Sequence, residues 1–279
     1  LRAAGRDDEA GAAAGRAERL RGARSGEADV ITVRARHELK KSASFEERIA
    51  MYDEALALDP LHAYARYYRG WMVMTKAEGP MEDGFREMIT GMVADPALLS
   101  DEATELFWDL GKFGRDLDGG TSNLRRLLRE LGDEGAGGRL DRVLRGLVCA
   151  ALVEYEGQDG YLERGLRELS AAIDEDPGDA LAYCLRAFLA LRSDQLLRAE
   201  LDLEVAREAA PACANIAFYE ALLRAARQAT PEQVMERLRA ARQARYPGIP
   251  VELFRYPELR TYLRQASFSA GVADLFRER

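Results

Sequence analysis

Pro177 and Pro211 stand 34 residues apart, and each closes a helical stretch. The segment between them, from Ala180 onward, reads ALAYCLRAFLALRSDQLLRAELDLEVAREAAP. It is two amphipathic runs separated by a polar break at Ser193-Asp194, with small residues at Ala187, Ala199 and Ala206. Proline cannot continue a helix, because its ring removes a donor and clashes with the preceding turn. A fixed period of this length predicts stacked helical hairpins, because a single hairpin cannot bury its own apolar face and must lay it against a neighbour. The 47% hydrophobic content is ample for such a core, and the 32% charged content is mixed in sign, as amphipathic helices require.

The period extends in both directions. Upstream, the spacing predicts a first helix over Val30–Lys41, a second over Phe45–Leu58 closed by Pro60, and a unit from Ala63 to Pro96 broken at Gly79-Pro80. Ser44 followed by Glu47 reads as a capping box. Between Pro96 and Pro177 the pattern loosens, with Gly-rich breaks at 111–120 and 132–138; helices are expected over Ser100–Leu110, Asn123–Leu131, Arg139–Tyr155 and Tyr161–Ile173. Downstream lie Ala214–Arg227 and Glu232–Arg245, the latter announced by Thr230-Pro231-Glu232-Gln233: a cap, a proline at the first helical position, and a glutamine three residues after the cap. The expected organisation is a leading linker or loosely held helix at 1–28, a repeat array at 29–245 that is irregular at 97–160, and short amphipathic capping helices at 246–279.

These residues resemble the tetratricopeptide (TPR) repeat family. Its small first-helix residue falls on Ala187 and Gly70. Its two small second-helix residues fall on Ala199 and Ala206, on Gly84 and Gly91, and on Gly165 and Ala172. IAMYDEALALDP, residues 49–60, matches the family's second helix. Small residues are needed where two antiparallel helices cross closely. The match spans roughly 29–245 and departs at Arg36 and Leu106, which stand where a small residue is expected. The resemblance implies an all-α, right-handed superhelix of about five to six hairpins with a C-terminal helical cap. It further implies a concave groove lined from the first helices by Tyr64, Tyr67, Trp71, Met74, Phe107, Phe188, Phe218 and Leu222. An apolar stripe at helical spacing also fits a core, or a face covered by the tail, and both readings stay open here. A TPR subclass that clamps acidic C-terminal peptides needs Lys and Asn where this chain has Val33, His37, Tyr67 and Trp71, so no such clamp is expected.

Catalytic signatures are missing from the sequence. The two histidines, His37 and His62, have no local nucleophile pattern, and no phosphate loop, zinc-hydrolase or nucleophile-elbow motif occurs. The Gly-rich turn before Asn123 reads as a plain helix start, and the acidic clusters as solvated. A net charge of −8 argues against general nucleic-acid binding. No apolar run approaches the roughly 20 residues of a membrane span. The scattered Cys149, Cys184 and Cys213 read as small buried hydrophobes in a reducing cytoplasm. The expected function is a non-catalytic scaffold, without cofactor or metal, that binds a peptide or partner protein in an aromatic groove. The alternatives are a regulatory module of a larger bacterial signalling enzyme, such as a Ser/Thr kinase, and self-association through an end repeat.

Overall fold

A computed structural model describes residues 24–38, 43–75, 81–95, 98, 121–156, 159–244, 246 and 252–277. The chain is all-helical, with no strand among the described residues. It divides into two compact units, Leu1–Ala94 and Asp95–Arg279. The division falls where the 34-residue pattern loosens.

In unit 1, α1 covers 24–33 and runs into a π-helical turn, Arg34–Glu38. Helix is already present over 24–28, at the end of the segment expected to be a linker or loosely held helix, and Ala28 there is fully buried. α2 (Phe45–Leu58) begins with the predicted capping box: Ser44 Oγ accepts from the Glu47 amide at 3.1 Å, and Glu47 Oε2 accepts from the Ser44 amide at 2.6 Å. α3 (Ala63–Thr75) and α4 (Met81–Ala94) form a tight hairpin. Their crossing explains the glycines. A Cβ on Gly70 would stand 2.5 Å from the Gly84 carbonyl oxygen, one on Gly84 2.7 Å from that of Gly70, and one on Gly91 2.6 Å from that of Ala63.

In unit 2, α5 (Ser122–Glu130) leads into three hairpins: α6 (Arg139–Glu156) with α7 (Asp159–Glu175), α8 (Ala180–Arg192) with α9 (Leu196–Ala209), and α10 (Ala214–Ala226) with α11 (Pro231–Gln243). Each hairpin stacks on the next, so that first helices α6, α8 and α10 neighbour one another in sequence. Ala172, Ala187, Ala199 and Ala206 are fully buried at these contacts, and a Cβ on Gly165 would sit 2.5 Å from Leu189 Cδ1. The Thr230–Gln233 capping box forms with Pro231 in the first turn. A 3₁₀ turn (Glu252–Arg255), α12 (Pro257–Leu263) and α13 (Ala266–Arg277) complete the unit. α12 packs on α10, and α13 on α11.

The Gly-rich break at 132–138 is held from inside. Gly132, Gly135 and Gly137 adopt positive φ, which suits glycine. Arg145, in the middle of α6, reaches into the loop: Nη1 donates to the Leu131 carbonyl at 3.1 Å and Nη2 to that of Ala136 at 2.5 Å. Its other partner is Glu168 on α7, bound in bidentate fashion at 2.6 and 3.1 Å, and Glu168 in turn accepts from the Gly135 amide. The expected helix over Ser100–Leu110 lies outside the described residues.

Candidate functional site

The described first-helix face of unit 1 carries a pocket of about 210 Å³ between α1 and α3. Its walls are Val33, Tyr64 and Tyr68, and its polar members are Asp29, Thr32, Arg36 and His62. The local sequence explains how each is placed. Arg36 falls where the repeat pattern wants a small residue, and the chain passes it in the π-helical turn, a wider winding often found at functional positions. There its guanidinium lies 4.4 Å from the centre of the Tyr68 ring, a cation–π contact.

His62 stands in the turn after Pro60 and caps α3. Its Nδ1 accepts from the Ala65 amide at 3.1 Å, which leaves Nε2 as the donor to Asp29 Oδ1 at 2.9 Å. This bond ties α1 to the start of α3. Thr32 is buried, and its hydroxyl has no hydrogen-bond partner among the described residues. Val33 in the pocket wall is exposed, as are Val30 on α1 and Leu61 in the turn before α3.

The sequence-predicted groove residues fare unequally. Tyr64 lines the pocket and Trp71 is half-buried on the same helix. Tyr67 and Met74 are buried, which corrects their assignment as groove lining. Tyr67 meets Tyr68 edge-on with ring centres 5.2 Å apart, and its backbone lies against Gly91 of α4. Tyr68, absent from the predicted set, takes the place beside Tyr64. Helical spacing could not separate these neighbours, since 64, 67, 68 and 71 all fall within one broad helix face.

In unit 2, Phe188, Phe218 and Leu222 are buried as well, again correcting the expectation of an open groove. Phe188 packs against Tyr219 at 5.2 Å. Phe218 stacks on Tyr246 at 4.2 Å and meets Tyr256 edge-on at 4.9 Å, so residues from the tail cover it. Phe107 lies outside the described residues.

The three cysteines are free and buried. Burial pushes the Cys149 thiol up to about 12, so it is no nucleophile at neutral pH. Among the described residues no group of three or more His, Cys, Asp or Glu side chains is placed to hold a metal ion, and no helix is long and apolar enough to cross a membrane. A second exposed apolar feature is the outward stripe of Leu197, Leu201 and Val205 on α9.

No protein-family model matches the chain, and no curated protein matches it.

Proposed function

We propose that the chain is a TPR-like, non-catalytic interaction scaffold that takes a side chain of a peptide or partner protein into the pocket between α1 and α3. The observation that carries this reading is the pocket itself: aromatic walls from Tyr64 and Tyr68, a basic group at Arg36, and the exposed Val33 at its edge. Rigid aromatic rings give contact area at low entropy cost. The hairpin packing and the small residues at its crossings support the family resemblance.

The test selects peptides from a random display library on the full chain and measures their affinity for the variant Val33→Asp/Tyr64→Ala. Both residues are at least partly exposed, so the fold should survive. Affinity should fall at least tenfold with an unchanged melting curve. Peptides that bind the variant as tightly as the parent chain overturn the assignment.

A further inference from the structure

On the corresponding face of unit 2 the chain itself is the occupant. The 3₁₀ turn and α12 run across the first helices of three successive hairpins and touch each in turn. Against α6, the Tyr256 hydroxyl donates to Glu154 Oε1 at 2.8 Å, and the Arg255 guanidinium lies 5.4 Å from the centre of the Tyr155 ring. Against α8, Glu258 pairs with Arg192 at 3.1 Å. Against α10, the Tyr256 ring packs edge-on to Phe218. The apolar residues Leu253, Tyr256, Leu259, Tyr262 and Leu263 are all buried, with Tyr262 set at the far end against Phe268 of α13 and donating to the Ala229 carbonyl at 2.6 Å. Their spacing of three to four residues is the pattern by which an amphipathic helix seats in a groove. The side chains between them, such as Phe254 and Arg260, point to solvent. The charges are complementary: the groove offers a carboxylate to the phenol and an arginine to the glutamate.

We infer that the first-helix face of unit 2 is a helix-binding groove, that segment 252–263 is its resident intramolecular ligand, and that a partner helix with the same anchor pattern competes for it. The partner's chemistry follows from the occupant: aliphatic, tyrosine and aliphatic residues three apart, with an acidic residue two after the tyrosine to meet Arg192. Displacement of the segment uncovers the side of Phe218 that Tyr256 meets, while Tyr246 still stacks on the ring. This groove belongs to unit 2 alone and does not rest on the pocket of unit 1.

The experiment uses the full chain and a fluorescein-labelled synthetic peptide of residues 252–264, ELFRYPELRTYLR, followed by anisotropy. The parent chain, its groove filled, should bind the peptide weakly. Tyr256→Phe/Glu258→Arg removes the hydroxyl bond and the ion pair and should bind it at least tenfold more tightly. Adding Arg192→Glu should abolish that gain, because the tail recovers an ion pair and the peptide loses one. Hydrogen exchange on the same samples should show α12 exchanging faster in the first variant while α6, α8 and α10 keep their protection. If those three helices lose protection together with α12, the segment is integral core and the inference fails. It fails equally if α12 loosens and no peptide binds. Should α12 stay protected in the first variant, Leu259→Asp removes a fully buried anchor, and absence of peptide binding there overturns the inference.

Discussion

Arg145 and Glu168 are 0% and 1% exposed, and together they join α6, α7 and the Gly-rich loop. Removing one partner strands the other charge in a dry interior, which costs about 3–5 kcal/mol. Arg145→Met and Glu168→Leu should therefore each destabilise unit 2 by that amount. Removing both does not double the loss, because a buried ion pair replaced by packed apolar groups is often neutral or stabilising. What remains is the loop's share: the Leu131 and Ala136 carbonyls and the Gly135 amide lose their partners. At about 1 kcal/mol net for each bond, the double variant should cost on the order of 3 kcal/mol. The singles would sum to about 6–10 kcal/mol, so the cycle should show a coupling of at least ~3 kcal/mol. Urea unfolding followed by far-UV circular dichroism measures it, with unchanged m-values as the check that one transition is compared throughout. Additive singles, with coupling below about 1 kcal/mol, would mean that water reaches the pair and that the burial argument is wrong.

Two further outcomes follow from the packing. Gly70→Ala gains about 1 kcal/mol of helix propensity, yet its Cβ would lie 2.5 Å from the Gly84 oxygen and 2.9 Å from the Met88 nitrogen. Overpacking of that kind costs about 1–3 kcal/mol, so the melting temperature of unit 1 should fall, and a rise would show that α3 and α4 do not cross there. The Cys149 thiol is held protonated up to about 12, against an ordinary 9.0. Between those values the unfolded chain has lost a proton that the native chain keeps, so stability declines as pH rises through the window. Relative to Cys149→Ala, the parent chain should lose about 1.4 kcal/mol between pH 8 and pH 10, read by urea unfolding at each pH; a pH-independent difference refutes the burial of that thiol.

The local grammar of the fold was legible in the residues. Ser44 with Glu47 and Thr230 with Gln233 form the capping boxes their spacing predicts. Ala187, Ala199 and Ala206 are buried as the period requires, since only small side chains allow close crossings. These features depend on neighbours three to four residues away, or on a repeat that shows itself by recurring. Arg145 was not legible: in sequence it is one arginine among many, and only the return of α7 and the folding-over of loop 132–137 make it interior.

The same distinction governs the candidate groove. The chain by itself determined that aromatic first helices would face something, because an apolar stripe at helical spacing must be buried or must bind. Which of the two it does was decided by partners distant in the chain. Tyr64 and Tyr68 border a pocket because α1 stands off from α3 there, held by Asp29 and His62, which are 33 residues apart. Phe218 is closed because Tyr246 and Tyr256 cover it, and Tyr256 is anchored to Glu154 across 102 residues. Periodicity specifies the direction a side chain takes from its own helix. Only the tertiary structure decides whether solvent or another segment meets it.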